Sequence, residues 1–294
     1  MKTLQPISPK DRDTNLVFIG LPSARGGLWD LTRTVISLEL GVAELAAADV
    51  KTRFILHKAD GLGIAKARNI LTYVARCTAA SKIVMIDDDI KPTPAHFFRI
   101  VSHAERLVGA LYPKKNLTGL CWVGEFKAAD EKTMGPGGLW PMDHVAAGMI
   151  RVDLSVVDEL IGRYPERGFM WDEDDPESGI AEGQWMHDLW SMGVVKTEYS
   201  GTDKHPLPRV YPRYLPEDYF FSHLAKTIGV PLWTDPEVQV GHVGPVDFLA
   251  IYAMVDKRIA EALAAYKGHL QAAGLKVPLL EIEPNGNVRV ARIN

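Results

Sequence analysis

Residues 81–92 read SKIVMIDDDIKP, a short apolar run that ends in three consecutive aspartates. Residues 83–86 are continuously apolar, as in a strand that is buried on both faces of a sheet. Asp87, Asp88 and Asp89 follow directly. Because like charges this close raise one another's pKa, carboxylates at a buried strand end need a cation or hydrogen-bond donors beside them. The stretch therefore predicts a strand that delivers oxygen ligands to a divalent metal.

The spacing of the aspartates suggests how they would share a ligand. On an extended strand, alternate side chains project to the same face about 6–7 Å apart, so Asp87 and Asp89 would lie side by side. One carboxylate can then hold a cation while the other contacts the group that the cation binds. Residues 95–109 are predicted as a helix, which places the aspartates at the carboxyl end of a strand, where open α/β sheets bind ligands. A solvated acidic turn is the alternative interpretation.

Strand and helix patterns alternate on the N-terminal side of the aspartates. Residues 16–21, LVFIGL, are predicted as the first buried strand, and the alternating residues 51–57 as the second. Apolar residues at helical spacing predict helices at residues 31–47 and 64–80. This order predicts an α/β protein with a doubly wound, mostly parallel sheet flanked by helices.

Beyond residue 109 the alternation of strands and helices is less regular. Further elements are predicted as strands at 120–123, 145–152 and 230–240, a helix that starts at Glu217, a long helix at 246–273 and a hairpin at 278–293 that turns at Asn285-Gly286.

The predicted elements divide the chain into three parts. Residues 1–15 are expected to be a flexible leader, residues 16–245 the α/β domain, and residues 246–294 a C-terminal extension of a helix and a hairpin. Residues 171–214 are rich in tryptophan and histidine.

Composition and charge exclude several classes of protein. The chain has 294 residues, 47% of them hydrophobic, which is enough to bury a sizeable core. A formal net charge of -4 and a pI near 6.1 give no overall attraction for nucleic acid. Cys77 and Cys121 are too few for a disulfide framework or a thiolate zinc site. No run approaches the about 18 apolar residues that span a bilayer, so a soluble, cytoplasmic protein is expected.

Three further positions carry candidate chemistry. Arg68 lies in the first turn of the helix predicted after a glycine loop, where it and free backbone N–H groups would attract an anion. Glu217 and Asp218 stand at another helix start, where acids also simply complement the helix dipole. His242 lies between Gly241 and Gly244, in a segment with little side-chain bulk. An exposed arginine and a solvated histidine are the alternative interpretations.

In this order the motifs resemble those of nucleotide-sugar-dependent glycosyltransferases of the GT-A fold, near the family 2 type. The resemblance spans residues 16–244 and implies that residues 16–245 are a GT-A catalytic domain, Rossmann-like with a mostly parallel central sheet. It makes residues 171–214 an insertion on the acceptor side of that domain. The C-terminal helical extension from residue 246 onward lies outside the resemblance. The matching motifs are Pro22-Ser23, Ala67-Arg68-Asn69, the Asp-x-Asp at 87–89, Ala146-Ala147-Gly148-Met149, Glu217-Asp218-Tyr219-Phe220-Phe221, Asp235-Pro236 and Gly241-His242.

The resemblance implies a role for each candidate residue. Asp89 and His242 would ligate Mn²⁺ or Mg²⁺, and the imidazole ligand favours manganese. Asp218, with Glu217 beside it, would be the general base that takes a proton from the acceptor hydroxyl. The nucleotide-sugar pocket would be lined by Pro22, Arg68, Asp87 and Asp88.

The implied reaction moves a sugar from a nucleotide-diphosphate sugar, with a UDP-sugar as the expected donor, to an acceptor hydroxyl with inversion at the anomeric carbon. The acceptor is left open between a saccharide, a lipid-linked carrier, a protein and a modified base in DNA. The alternatives are a nucleotidyltransferase and a non-catalytic nucleotide-sugar-binding module. A DNA acceptor would need a basic groove, for which the candidates are Lys114, Lys115, Lys204, Arg209 and Arg213.

Overall fold

The computed structural model describes residues 4–23, 52–59, 62–115, 122–126, 134–172, 180–199, 209–242, 257, 279–282 and 288–292. The helix predicted at 31–47 lies outside these residues, as does all of the helix predicted at 246–273 except residue 257. Within the described ranges the chain forms strands, four α-helices and three short 3-10 helices.

The strands are numbered in chain order. They are β1 (Asp13–Pro22), β2 (Arg53–Ala59), β3 (Ala80–Ile86), β4 (Ile90–Lys91), β5 (Leu107–Leu111), β6 (Glu125–Phe126), β7 (Trp140–His144), β8 (Met149–Asp153), β9 (Gly168–Met170), β10 (Trp185–His187), β11 (Gly193–Tyr199), β12 (Arg209–Leu215), β13 (Trp233–Gln239), β14 (Gly241–His242), β15 (Leu279–Ile282) and β16 (Val288–Arg292). The helices are α1 (Ile64–Arg76), α2 (Pro94–Ser102), α3 (Leu154–Arg163) and α4 (Glu217–Thr227).

An eight-stranded sheet in the order β2-β1-β3-β8-β5-β13-β7-β6 forms the centre of the molecule. Strand β1 runs parallel to β2 and β3, and β5 runs parallel to β13. Strand β8 is antiparallel to both β3 and β5, and β7 is antiparallel to both β13 and β6. The sheet is therefore mostly parallel and Rossmann-like, with β7 and β8 running against the rest.

Apolar side chains pack against both faces of this sheet, which explains the continuous apolar runs in its strands. Phe18 of β1 belongs to a core cluster with residues of α1, α3 and α4. Its neighbours Val17 and Ile19 belong to a second cluster on the opposite face, which includes Phe97 and Ile100 of α2. Among the described residues, no helix has the length and apolar character needed to cross a membrane.

Several predicted elements have different bounds in the structure; the helix predicted at 64–80, for example, ends at Arg76. The helix predicted at 95–109 ends at Ser102, because Leu107–Leu111 forms strand β5 with all five residues buried in the sheet. An apolar run that continues from a helix into a central strand cannot be divided by periodicity alone. The strand predicted at 145–152 is β8, which starts only at Met149. Residues 145–148 instead form the turn that leads into it.

The predicted leader and the terminal hairpin are both partly described. The backbone N–H of Ile7 donates to the carbonyl of Arg76 at 2.8 Å, and the Tyr73 hydroxyl donates to the carbonyl of Leu4 at 2.9 Å. These bonds attach this part of the leader to α1. Strands β15 and β16 pair antiparallel, as the predicted hairpin requires, while its Asn285-Gly286 turn lies outside the described residues.

Part of the tryptophan-rich insertion belongs to the core. Trp190 is buried and stacks on Phe221 of α4 with 3.9 Å between ring centroids. Its indole N–H donates to Thr72 at 2.9 Å, and its backbone N–H donates to the Asn69 side chain at 3.0 Å. Trp190 therefore connects the insertion to α1 and α4. Trp185, by contrast, is 55% exposed.

Candidate active site

The predicted site residues meet at one edge of the sheet because of the strand directions. Strands β1, β3, β5 and β13 run the same way, so the residues that follow each of them lie at the same edge. Strand β8 runs against β3 and β5 and therefore starts at this edge. The residues brought together are Ser23, Asp87, Asp88, Asp89, Tyr112, Gly148 and His242.

The aspartates lie in a turn and not on an extended strand. Strand β3 ends at Ile86, and the backbone N–H of Ile90 donates to the carbonyl of Asp87 at 3.1 Å. The prediction that Asp87 and Asp89 share one face of a strand is therefore wrong. A tight turn fans the three carboxylates apart, and each contacts a different partner.

Asp87 forms a buried ion pair with Arg68. Both oxygens of Asp87 accept from Arg68 Nη2 at 2.8 Å, and Arg68 Nη1 donates to Glu217 at 2.6 Å. Arg68 is only 2% exposed. Burial raises the pKa of Asp87 to about 6, against the opposing effect of the Arg68 charge.

This arrangement changes what the sequence suggests for Arg68 and Asp87. Arg68 was predicted to attract the anionic groups of a nucleotide, but both of its Nη atoms are directed at protein carboxylates. Asp87 was predicted to line the nucleotide-sugar pocket, but its oxygens face Arg68. The guanidinium instead connects helix α1, the turn after β3 and the start of α4.

Asp88 connects the acidic turn to the end of β1. Its Oδ2 accepts from the hydroxyl of Ser23 at 2.6 Å, and Ser23 is fully buried. Ser23 follows Pro22, the last residue of β1, and its backbone N–H donates to the carbonyl of Ala59 at 2.9 Å. Pro22, which precedes Ser23 in the chain, is therefore held near the acidic turn. Ser23 was not predicted as a site residue by itself. Its position, as a small hydroxyl residue directly after a buried strand, was the sequence signal that could have identified it.

Asp89 and His242 come together from distant parts of the sequence. Strand β14 pairs antiparallel with β4 and places His242 opposite Ile90, so Nε2 of His242 lies 3.7 Å from Oδ1 of Asp89. Nδ1 of His242 is 2.7 Å from the carbonyl of Pro113. Because a carbonyl only accepts, Nδ1 carries the proton and the lone pair of Nε2 faces Asp89. Burial lowers the pKa of His242, which favours this neutral form.

The donor set fits a divalent cation whose coordination is completed by a ligand. One carboxylate and one neutral imidazole suit Mn²⁺, and the carbonyl that fixes the His242 tautomer is a partner typical of metal-binding histidines. In the part of the chain that the structure describes, no group of three or more His, Cys, Asp or Glu residues is arranged to hold a metal. Asp89 and His242 would therefore need further oxygen ligands from a substrate or water.

Asp218 lies in the first turn of α4, close to the Arg68 ion pairs. The backbone N–H of Tyr219 donates to its Oδ1 at 2.8 Å. Burial raises the pKa of Asp218, and the positive charge of Arg68 partly offsets that effect. The neighbouring Glu217 is held by Arg68. Of the two predicted catalytic acids, Asp218 is therefore the one with the environment of a base.

A hydrogen-bonded chain supports the turn before β8. The backbone N–H of Gly148 donates to the hydroxyl of Tyr112 at 2.8 Å, and the carbonyl of Gly148 accepts from the backbone N–H of Asp87 at 2.8 Å. Tyr112 also packs edge-on against His242, with 5.1 Å between ring centroids. Tyr112 was not predicted as a site residue, because nothing in the sequence distinguishes it from a core tyrosine.

A second polar cluster lies behind the start of α4. His144 stacks on Tyr219 at 4.9 Å, and its Nδ1 is 2.7 Å from Glu125. Nη1 of Arg213 also donates to Oε2 of Glu125 at 3.0 Å. The bonds to His144 and Arg213 lower the pKa of Glu125 to about 2, while burial opposes them. These residues come from β6, β7, α4 and β12, so no local sequence pattern connects them.

No protein-family model matches the chain, and no curated protein matches it. Similar solved structures include A197 from STIV, which is 12% identical over 95% of this chain and 97% of that chain, with a TM-score of 0.37. A 4-diphosphocytidyl-2C-methyl-D-erythritol synthase from Anaerococcus prevotii is 10% identical over 54% of this chain and 79% of that chain, with a TM-score of 0.29. Residues 1–349 of S. aureus TarS are 9% identical over 48% of each chain, with a TM-score of 0.27. Similarities this distant carry no information on activity.

Proposed function

We propose that the protein is a metal-dependent glycosyltransferase of the GT-A type, near family 2, with a nucleotide-diphosphate sugar as donor. A UDP-sugar is the expected donor, and the sugar passes to an acceptor hydroxyl with inversion. The observation that carries this proposal is the meeting of Asp89 and His242, 3.7 Å apart, at the sheet edge where the partly buried Asp218 also lies. Carboxylate and imidazole ligands beside a separate carboxylate base are the parts that such a transfer needs.

Asp89 and His242 would hold Mn²⁺ or Mg²⁺. A cation bound there would offset the negative charge that grows on the diphosphate as the glycosidic bond breaks. Pro113 supports this role, because its carbonyl keeps the proton on Nδ1 of His242 and leaves Nε2 available.

Asp218 would act as the general base. A carboxylate whose pKa is raised towards neutrality accepts a proton more readily than an ordinary aspartate. Arg68 limits this rise and, through Glu217 and Asp87, fixes the start of α4 relative to the acidic turn. The acceptor hydroxyl would lose its proton to Asp218 as its oxygen attacks the anomeric carbon.

The wall of the nucleotide pocket would be formed by the ends of β1 and β3. Ser23, which follows Pro22, donates to Asp88, and this bond fixes the spacing between the two strand ends. Arg68 and Asp87 are bound to each other, so they would contribute to the pocket mainly by fixing the positions of α1 and the turn after β3.

The acceptor would bind on the side of α4 that carries Asp218, and a saccharide or a modified base in DNA remain its candidates. A nucleotidyltransferase would use the same strand-end aspartates but needs a phosphate loop after β1. That loop would fall at residues 22–27, of which the structure describes Pro22 and Ser23.

A screen of nucleotide sugars by thermal unfolding, with and without Mn²⁺, tests this function. A ligand present at about 100 times its Kd stabilises the folded state by about 2.7 kcal/mol, which raises Tm by roughly 5–10 °C in a chain of this size. We expect a UDP-sugar to reach this shift with Mn²⁺ and to lose most of it in Asp89→Asn. If no nucleotide sugar gives metal-dependent stabilisation, the proposal is wrong.

The variant Asp218→Asn separates catalysis from binding. It should keep the Mn²⁺-dependent thermal shift and lose transfer by about 10²–10⁴-fold, the usual contribution of a general base. Asp143→Asn is a suitable control, since that carboxylate forms an exposed ion pair with Lys226. A non-catalytic binding module would show no transfer with the wild-type protein. Transfer that survives in Asp218→Asn would contradict the role of the base.

A further inference from the structure

Lys115 contacts one carboxylate oxygen of Asp89, and His242 faces the other. The Lys115 ammonium donates to Oδ2 of Asp89 at 2.5 Å, while Oδ1 faces Nε2 of His242 at 3.7 Å. The charge of Asp89 is thus balanced by a lysine at the position where the proposed function places a divalent cation.

The partners of Asp87 and Asp89 differ in how firmly they are held. Arg68, the partner of Asp87, is 2% exposed and bound to a second carboxylate. The side chains of Lys115 and Asp89 are each one third exposed. Lysine carries its charge on a flexible stem of four carbons, so its ammonium can move while its backbone stays in place. Asp89 is therefore the aspartate whose partner can exchange.

Lys115 cannot satisfy both ligands at once. The lone pair of His242 Nε2 faces a carboxylate oxygen 3.7 Å away, a distance too long for a hydrogen bond. A divalent cation could bind both Oδ1 of Asp89 and Nε2 of His242. Such a cation would compete with the Lys115 ammonium for Asp89. An ammonium displaced there would remain beside the oxygens that complete the coordination of the cation.

We propose that Lys115 is a displaceable counter-ion that neutralises Asp89 before the metal binds and then moves to the diphosphate of the donor. This inference rests on the proposed function, because it needs a divalent cation at Asp89 and a nucleoside diphosphate as ligand. Lys115 is a binding residue for the diphosphate in this scheme and takes no part in proton transfer.

The scheme gives Lys115 opposite effects on two binding steps. Without its charge, Mn²⁺ no longer competes with an ammonium at Asp89. An exposed ion pair contributes a modest energy, and the repulsion between an ammonium and a divalent cation is twice that between two single charges. Removing the ammonium in Lys115→Met should therefore raise the affinity for Mn²⁺ about threefold to tenfold. The affinity of UDP at saturating Mn²⁺ should fall by about the same factor, because a charge-assisted hydrogen bond to phosphate is lost.

Two binding measurements on the full chain test the proposal. Free Mn²⁺ is followed by electron paramagnetic resonance during titration, and UDP binding is measured by calorimetry at saturating Mn²⁺. Lys115→Arg retains the positive charge and should keep the wild-type Mn²⁺ affinity. Lys226→Met removes an exposed lysine that bonds to Asp143, and it should change neither affinity. Circular dichroism confirms that each variant is folded.

The outcomes separate the two proposals. Tighter Mn²⁺ binding together with weaker UDP binding in Lys115→Met, but in neither control, supports the displaceable counter-ion. Mn²⁺ binding that is lost in Asp89→Asn but unchanged or weaker in Lys115→Met overturns it and leaves the proposed function intact. Mn²⁺ binding that is absent from the wild type, or that survives in Asp89→Asn, overturns the metal site and the counter-ion together.

Discussion

Arg68 acts on the site through the carboxylates that it holds. It is almost fully buried, its Nη atoms bind Asp87 and Glu217, and its guanidinium carbon lies 5.5 Å from the centre of the Trp190 ring. A buried charge of this kind is costly unless its partners are present. The sequence places Arg68 near a helix start, but its partners are 19 and 149 residues away, so its role could not be read locally.

Replacing Arg68 by methionine should destabilise the protein by about 3–5 kcal/mol at neutral pH, since two largely buried carboxylates would lose their cation. Chemical unfolding monitored by circular dichroism measures this change. The matched control is Arg106→Met, because Arg106 forms an exposed ion pair with Glu159. That pair should contribute less than about 1 kcal/mol. A loss in Arg68→Met no larger than in the control would contradict the structural role of Arg68.

The same variant has a pH dependence with a definite sign. Burial raises the pKa of Asp87 from 3.8 to about 6, so the folded state binds more protons and wild-type stability falls as pH rises through this interval. Without Arg68, whose charge lowers this pKa, stability should continue to fall at higher pH. The difference in the free energy of unfolding between the wild type and Arg68→Met should thus be small near about pH 4 and largest above about pH 7. A deficit that is independent of pH would contradict this origin.

At the scale of elements, the turn before β8 aligns the acidic turn with strand β5. Gly148 makes this possible, because a Cβ atom there would lie 2.6 Å from Cζ of Tyr112. The tyrosine ring therefore packs directly on the glycine backbone while its hydroxyl accepts from the glycine N–H. The apolar run at residues 145–152 showed that a strand was near, but its start depends on this contact with Tyr112.

Gly148→Ala should cost about 1–3 kcal/mol, as overpacking of a close contact does. It should also weaken nucleotide binding, since Asp87 is bonded to the carbonyl of Gly148. Gly162→Ala is the control: nothing lies within 4 Å of a Cβ atom there, and the position is inside α3. Alanine there should stabilise the helix by about 0.5–1 kcal/mol. Thermal unfolding of both variants checks the opposite signs, and a stabilised Gly148→Ala would contradict the packing argument.

At the scale of the whole molecule, charge bears on the acceptor. The chain has a formal net charge of -4, and two of the five residues predicted for a basic groove are held by carboxylates. These are Lys115 on Asp89 and Arg213 on Glu125. Lys204 lies outside the described residues. We therefore expect a saccharide acceptor and not a DNA base.

Transfer activity should accordingly change less than about tenfold between 50 and 200 mM salt. Binding that neutralises several phosphates would lose about 10³–10⁵ in affinity over this range, because counterions are released. Initial rates at subsaturating acceptor measure the difference. A steep fall in rate with salt would indicate a polyanionic acceptor and contradict the expected saccharide acceptor.

The sequence by itself determined the class of the fold and the edge of the sheet where the candidate site lies. Continuous apolar runs separated by helical periodicity are local signals, and they identified β1, β2, β3, α1 and the start of α4. The acidic run and the histidine between glycines were visible for the same reason. What periodicity missed, such as the end of α2, strand β7 and the start of β8, depends on which strands become neighbours.

Only the tertiary structure decided which residues meet. Pairing of β14 with β4 brought His242 to Asp89, the turn after β3 gave Asp87, Asp88 and Asp89 separate partners, and Arg68 was directed at protein carboxylates. These outcomes follow from contacts between residues far apart in the chain, whose energies depend on burial and geometry. Local composition and spacing contain neither, so the sequence named the groups while the fold set their partners.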